Sequence, residues 1–237
     1  MKNCVNWLFG RGASVASGLN WTVPKEWERY DREILISKIR EILPIEMQKA
    51  STAVYKKFLS LLSRKTRSGL KHRLITTNWD FLLQKAIDEQ GFKQLPVWLD
   101  DSWVFHFNGT VENLPDNSHR SPFLLESDPA SQRVASVEAN EAYNRLIWDF
   151  RFVVVGMSFE CQIDKGLLAA LNKVEDDLPI GFSEWIFVNS NQNALKQVEQ
   201  NIKIALPKCK TVKVQAYFEE WVMAEMPVLK EIGVLNT

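Results

Sequence analysis

The sequence has 237 residues, of which 46% are hydrophobic and 24% charged, so one large domain with a sizeable core is expected. Its 29 basic side chains balance 29 acidic ones, which excludes a general attraction to nucleic acid or to an anionic membrane. No run of about 18 apolar residues is present to span a membrane. The short apolar N-terminal run does not fit a signal peptide. These features predict a cytoplasmic protein.

The three cysteines are Cys4, Cys161 and Cys209, and they lie far apart in the chain. Because no CxxC pair occurs, they offer neither the ligand spacing of a zinc ribbon nor a disulfide framework. Isolated reduced thiols are typical of a cytoplasmic protein. We therefore expect no bound zinc.

The first part of the chain alternates apolar strands with helical patterns. The predicted elements are a strand at Cys4–Phe9, a loop at 10–24, helices at 26–43 and 45–62, a strand at 72–77 and a helix at 81–91. Pro44 is expected to end the first of these helices, because proline lacks the backbone N–H that a helix interior needs.

The second part of the chain continues the same alternation. The predicted elements are strands at 97–98 and 103–107, a polar loop at 108–132, a helix at 136–149, a strand at 152–155, a helix at 163–174, a strand at 185–188, a helix at 191–204, a strand at 211–214 and a helix at 217–232. Continuous apolar strands between amphipathic helices predict an α/β fold, with a mostly parallel sheet covered by helices on both faces. We expect one domain over residues 1–237.

Ligands of doubly wound sheets bind beyond the carboxyl ends of the strands, so the segments after the strands are the candidate site. The first is GRGAS, whose glycines would let backbone N–H groups approach a pyrophosphate. Its predicted ligand-binding residues are Gly10, Gly12, Ala13, Ser14 and Ser17. A Rossmann fingerprint would need a third glycine where Val15 stands, and an ordinary glycine-rich turn is the alternative interpretation.

The other four segments carry polar side chains with a possible binding role. Asn78 and Asp80 follow the strand at 72–77, and an ionised aspartate can accept hydrogen bonds from two ribose hydroxyls. His106, one of three histidines, is a candidate general base. Further candidates are Gly156 and Ser158 against a phosphate or ribose, and Asn189 against the adenosine ribose. Helix capping, a structural histidine and a plain turn are the alternatives.

Taken in order, these segments resemble the sirtuin fold family. The glycine loop matches the family's GAGxS-x-x-SG pattern at Gly10, Gly12, Ser14, Ser17 and Gly18, and its T-x-N-x-D pattern at Thr76, Asn78 and Asp80. The TTN-aromatic-D variant is similar to zinc-free prokaryotic sirtuin-like domains of anti-phage systems, as is GMSF at 156–159 with Asp164. The resemblance spans Phe9 to Asn189 and implies a sirtuin-like NAD-binding fold.

The sequence departs from the family at two places. The zinc ribbon of the deacetylases is missing, and a helical stretch at about 26–64 is expected to cap the nucleotide instead. The family's catalytic histidine stands directly before a glycine, and Asn108 occupies that position before Gly109. His106 would share a strand face with position 108, about 7 Å further along. Either His106 acts as the base, or the base is missing.

The resemblance implies hydrolysis of NAD to ADP-ribose and nicotinamide, in prokaryotic defence. Asn78 would position the ribose and the attacking water, Asp80 would hold a ribose hydroxyl, and the pyrophosphate would lie on the loop at 10–18 opposite Arg11. Asn108 favours an alternative, a subunit that binds NAD or ADP-ribose without turnover. A third hypothesis is a homo-oligomer or partner-activated subunit, because nine tryptophans could serve an interface. The missing zinc ribbon argues against an NAD-dependent deacylase.

Overall fold

The computed structural model describes residues 4–90, 104–111, 149–159 and 182–236. Six strands form one sheet: β1 Cys4–Phe9, β2 Lys71–Thr76, β3 Phe105–His106, β4 Arg151–Val155, β5 Glu184–Asn189 and β6 Lys210–Gln215. The helices are α1 Arg11–Ala16, a 3₁₀ helix Lys25–Arg29, α2 Arg32–Gln48, α3 Ala53–Lys65, α4 Leu82–Gln90, α5 Gln192–Ala205, α6 Phe218–Met223 and α7 Pro227–Glu231.

The strand order is β3-β2-β1-β4-β5-β6, and every neighbouring pair is parallel. The sheet is flanked by helices, so the predicted α/β class with a parallel sheet is confirmed, and the arrangement is Rossmann-like. The chain builds outward from β1 in one direction through β2 and β3, then reverses and continues through β4. The reversal places a crevice between the carboxyl ends of β1 and β4, where doubly wound sheets bind ligands.

The central strand β1 is buried along its whole length. On one face its aromatic side chains pack against the helices: the Trp7 ring lies 4.6 Å from that of Phe58 on α3, and the Phe9 ring 5.8 Å from that of Phe218 on α6. Burial on both faces explains why apolar residues occupy every position except Asn6, rather than alternating with polar ones. This packing fixes the point at which the glycine loop leaves the sheet.

The structure corrects the predicted elements between residues 10 and 62. The helix predicted at 45–62 begins later and is α3, Ala53–Lys65. The segment at 10–24 contains α1, although its glycines and serines predict a loop. The predicted break at Pro44 is wrong, since α2 runs from Arg32 through Pro44 to Gln48. Leu35, Ile39, Leu43 and Met47 recur every four residues and are all buried. A proline in a helix interior costs about 3 kcal/mol, whereas burying Leu43 and Met47 contributes roughly 1.5–3 kcal/mol each.

The predicted closing helix at 217–232 is two short helices, α6 and α7. Glu225 and Met226, between them, both have positive φ angles, of 59° and 52°. Met226 precedes Pro227, and a residue before proline is displaced from the right-handed helical region by the proline ring. Pro227 then begins α7, where its missing N–H costs nothing.

Several predicted elements lie outside the described residues, namely the strand at 97–98, most of the loop at 108–132, and the helices at 136–149 and 163–174. Asp164 of the resemblance and Cys161 also lie there. Among the residues that the structure does describe, no helix is both long enough and apolar enough to cross a membrane.

Candidate functional site

A cavity of about 440 Å³ opens at the carboxyl ends of β1, β2 and β4. Its volume lies within the roughly 300–1,000 Å³ of small-molecule sites in proteins. The polar lining consists of Arg11, Ser14, Thr22, Thr77, Asn78, Asp80, Asn108 and Ser158. The apolar lining consists of Leu19, Trp21, Val23, Leu43, Trp79 and Met157. The cavity therefore occupies the position that the strand order predicts for a ligand.

The glycines of the first loop bring two chain segments into direct contact. Gly10 N–H donates to the Val155 carbonyl and Gly12 N–H to the Gly156 carbonyl, each over 2.9 Å. A Cβ atom on Gly10 would lie 2.7 Å from the Met157 Cβ, and one on Gly12 would lie 2.7 Å from the Gly156 Cα. Neither position has room for a side chain, so these glycines are required for packing of the loop against the segment after β4.

This packing bears on the predicted pyrophosphate contacts. The N–H groups of Gly10 and Gly12 already have carbonyl acceptors, and Ala13 N–H donates to the Gly10 carbonyl over 3.0 Å. Gly10 lines the cavity, whereas Gly12 and Ala13 do not. The sequence associates these residues with a ligand, and the structure gives them a clear role in joining β1 to β4. A pyrophosphate would have to use other donors, such as the exposed Arg11 side chain.

Three side chains form a hydrogen-bonded cluster on the cavity wall. Ser14 Oγ donates to Asp80 Oδ2 over 2.6 Å and accepts from Asn78 Nδ2 over 2.8 Å. Asn78 Nδ2 also donates to the Gly10 carbonyl over 3.0 Å. Asn78 and Asp80 follow Ser14 by 64 and 66 residues in sequence, and the structure brings the three together. Each of the three was predicted as a site residue, and all three line the cavity.

The Asp80 carboxyl group is buried, and its burial raises its pKa above the ordinary value. The hydrogen bonds that it accepts from Ser14 and from the backbone N–H of Leu82 lower its pKa and oppose this shift. The bond to Leu82 also caps the first turn of α4, so the capping role considered from the sequence is real. A capping role and a place on the cavity wall are compatible, because the two carboxylate oxygens have different partners.

Tyr55 is a residue of this cluster that sequence reasoning missed. It lies on α3, is buried, and is close to Ser14, Ser17 and Asp80. Burial and the nearby Asp80 carboxylate raise the pKa of Tyr55 well above its usual range. The residue therefore stays protonated and can donate to the serines. In sequence it is one more apolar position on the buried face of a helix, so no local signal marks it.

Asn108 lies on the cavity wall, in a turn that follows β3 directly. Its Nδ2 donates to the Thr77 carbonyl over 3.0 Å, and the turn is closed by a 3.1 Å bond from Gly109 N–H to the His106 carbonyl. Gly109 has a φ of 79°, which glycine adopts at no steric cost. The expectation that His106 shares a strand face with position 108 assumes extended backbone between them, although the predicted strand ends at 107. Because the strand ends at His106, residues 106 and 108 do not share a strand face.

His106 is not among the residues that line the cavity. Its side chain is 1% exposed and its ring stacks on Phe81 with centroids 5.7 Å apart. The backbone of Asn78 is near enough to oppose the effect of burial, but neither ring nitrogen has a hydrogen-bond partner of normal geometry among the described residues. Burial lowers the pKa of His106 to about 4. Its predicted role as a base has no support in this placement.

The remaining predicted residues divide between the cavity and its surroundings. Gly156 and Ser158 line the cavity. Ser17 lies behind the wall, where its Oγ donates to the Ala13 carbonyl over 3.4 Å. Asn189 is outside the lining, and its Oδ1 accepts from the Asn191 N–H over 2.9 Å. The cap of α5 is Asn191, whose side chain accepts from two N–H groups of the first turn.

The described residues contain no group of three His, Cys, Asp or Glu side chains that could hold a metal ion. No family model matches this chain, and no curated protein matches it either. The proposal of a function therefore depends on the geometry of the cavity and on the motifs that line it.

Proposed function

We propose that the cavity binds NAD and that the protein hydrolyses it to ADP-ribose and nicotinamide. The observation that carries the proposal is the cluster of Asn78, Ser14 and Asp80 at the switch point of a parallel sheet. The exposed Arg11 provides a positive charge for the pyrophosphate. Trp21 and Trp79 provide aromatic surface on which a planar base or pyridine ring can stack.

The polar cluster suits cleavage of the bond between nicotinamide and ribose. As this bond breaks, positive charge develops on the ribose, and nicotinamide leaves as a neutral molecule that needs no protonation. A buried carboxylate such as that of Asp80 stabilises such a charge more strongly than one in water. Asp80 is the only carboxyl group on the described cavity wall. Asn78, fixed by Gly10 and Ser14, would hold the ribose and the attacking water in position.

One observation favours the alternative of binding without turnover. No histidine lines the described wall of the cavity, and Asn108 cannot accept a proton at neutral pH. Water can attack a cationic ribose without a strong base, so we propose slow hydrolysis rather than none. The alternative is kept as a separate hypothesis, because it predicts tight binding of NAD or ADP-ribose with no product.

The test is incubation of the purified protein with NAD, chromatography of the products, and calorimetry of NAD binding. We expect ADP-ribose and nicotinamide in equal amounts, and a loss of at least about tenfold in rate for Asn78→Ala, because the ribose loses its positioning group. Asn193→Ala, on the exposed first turn of α5, is the control and should be unchanged. Binding without product would establish the alternative, and absence of binding would refute both.

The resemblance further suggests a role in prokaryotic defence through a homo-oligomer or a partner protein. Size-exclusion chromatography with light scattering, run beside the NAD assay, tests the assembly. A monomer whose activity does not change with protein concentration would refute a homo-oligomeric enzyme.

A further inference from the structure

Asn108, a residue of the cavity wall, carries a buried side-chain oxygen, Oδ1. The Asn108 side chain is 7% exposed and lines the cavity. Its Nδ2 is paired with the Thr77 carbonyl, but its Oδ1 is buried and has no hydrogen-bond partner among the residues that the structure describes. Buried side-chain oxygens without a donor are rare in folded proteins. An unpaired acceptor at a cavity therefore indicates where a ligand donates a hydrogen bond.

The orientation of this amide group is fixed. Rotating it by half a turn would place Oδ1 against the Thr77 carbonyl oxygen, and two acceptors cannot pair. The turn itself is attached to β2, since Phe107 N–H donates to the Thr76 carbonyl over 2.8 Å. The orientation of the oxygen is therefore fixed before any ligand arrives. Because Oδ1 itself is buried, a ligand reaches it only when the adjacent cavity wall moves slightly aside.

We propose that Asn108 Oδ1 accepts a hydrogen bond from the nicotinamide riboside half of the dinucleotide, either from a ribose hydroxyl or from the carboxamide N–H. This inference rests on the proposed function. The amide is bonded to Thr77, the neighbour of Asn78, so it lies at the end of the cavity to which we assign the nicotinamide ribose. An amide oxygen does not take up the proton, so Asn108 selects ligands that carry a donor here.

A purely structural role for Asn108 makes a different prediction, and Thr110 provides the matched control. Thr110 Oγ1 donates to the Trp79 carbonyl over 3.0 Å, so it too ties this loop to the segment after β2. Thr110 does not line the cavity. Thr110→Val removes a comparable bond from the same loop without changing the cavity wall.

The experiment is calorimetry of wild type, Asn108→Leu and Thr110→Val with NAD and three analogues. Two analogues lack the 2′ or the 3′ hydroxyl of the nicotinamide ribose, and the third carries nicotinic acid instead of nicotinamide. We expect NAD to bind about tenfold more weakly to Asn108→Leu, and within about twofold of wild type to Thr110→Val. One of the analogues lacks the group that donates to Asn108 Oδ1. Asn108→Leu and wild type should bind that analogue equally well, so the analogue that shows no difference identifies the donor.

Equal losses of affinity for all four ligands in Asn108→Leu, or no loss for NAD, would overturn the inference while leaving the proposed function intact. If wild type binds none of the dinucleotides, the proposed function fails and the inference falls with it. Asn108→Ala, which introduces no larger side chain, gives the same comparison if the leucine variant does not fold. Melting temperatures of all variants establish which of them are folded.

Discussion

Gly12 and Gly156 pack backbone against backbone where the strand order reverses. A Cβ atom on Gly156 would lie 2.5 Å from the Gly12 Cα, and Gly12 N–H donates to the Gly156 carbonyl over 2.9 Å. The loops after β1 and β4 are thus joined directly, and the joined loops form one wall of the cavity. A side chain at either position would separate the loops and deform that wall.

Gly156→Ala is expected to destabilise the protein and to weaken NAD binding together. Alanine is unfavourable at this position for two reasons. The φ of 63° strains a residue with a side chain, and the added Cβ would clash with Gly12. Gly69→Ala is the matched control, since Gly69 has a φ of 84° but nothing within 4 Å of its Cβ position. We expect Gly69→Ala to lose about 1 kcal/mol of unfolding free energy, and Gly156→Ala clearly more. If urea unfolding showed the same loss of unfolding free energy for Gly156→Ala and Gly69→Ala, the packing role of Gly156 would be contradicted.

Ser14→Ala is expected to shift the pH dependence of NAD binding. The hydroxyl of Ser14 donates to Asp80 and lowers the pKa of that carboxyl group. Without it the pKa of Asp80 rises further, so the pH below which affinity falls moves upward. The comparison is the NAD dissociation constant measured across pH for Ser14→Ala and for Ser17→Ala, whose hydroxyl bonds the Ala13 carbonyl instead. A pH profile of Ser14→Ala that matches wild type would refute a role for ionised Asp80.

His106→Phe is expected to leave NAD binding and turnover unchanged. The imidazole is buried against Phe81 and lies outside the cavity lining, and a phenyl ring preserves the stacking. Turnover and binding would be measured on the same preparation. A loss of activity of more than about tenfold in a folded variant would show that His106 acts in catalysis after all.

Acid is expected to destabilise the protein through its buried histidines. Burial lowers the pKa of His72 to about 3 and that of His106 to about 4, against 6.5 for an exposed histidine. Above pH 6.5 both are neutral in the folded and unfolded chains. Below it only the unfolded chain gains protons, so the unfolding free energy falls by about 1.4 kcal/mol per pH unit for each histidine. The loss ends near pH 4 for His106 and near pH 3 for His72.

The raised pKa of Asp80 acts in the opposite direction, because a folded protein that binds a proton more readily gains stability as the pH falls. His106→Phe isolates the contribution of His106, because Asp80 and His72 contribute equally in the variant and in wild type. Between pH 7 and pH 5 the variant should lose about 2 kcal/mol less unfolding free energy than wild type. The same pH dependence in both proteins would show that the ring of His106 becomes protonated in the folded state.

The sequence predicted the sheet well because its strands carry local signals. Cys4–Phe9 has the predicted bounds, and β4 and β5 extend the predicted 152–155 and 185–188 by one residue at one end or at both. The central positions of these strands are buried on both faces and are nearly all apolar. The exception is Asn6, whose buried amide is paired with Asp149 and Arg73. The helix through Pro44 could not be predicted in this way, since burial of Leu43 and Met47 outweighs a local rule.

The candidate site was predictable in its location but not in its contacts. The rule for doubly wound sheets selected Asn78 and Asp80, which line the cavity, but also His106 and Asn189, which do not. Asn108, which lines the cavity, was marked by the family resemblance. The sequence could not show that Gly12 packs against Gly156, because a glycine suits both a ligand and a close backbone approach. Tyr55 was missed since its neighbours in the fold, Ser14 and Ser17, come from a distant part of the chain.

The most direct test of the account is a crystal structure of the protein with NAD or ADP-ribose bound. The account predicts the dinucleotide in the crevice between β1 and β4, with the pyrophosphate beside Arg11 and the ribose of the nicotinamide half against Asn78, Asp80 and Asn108. A ligand bound elsewhere, or a cavity that stays empty at saturating NAD, would contradict it.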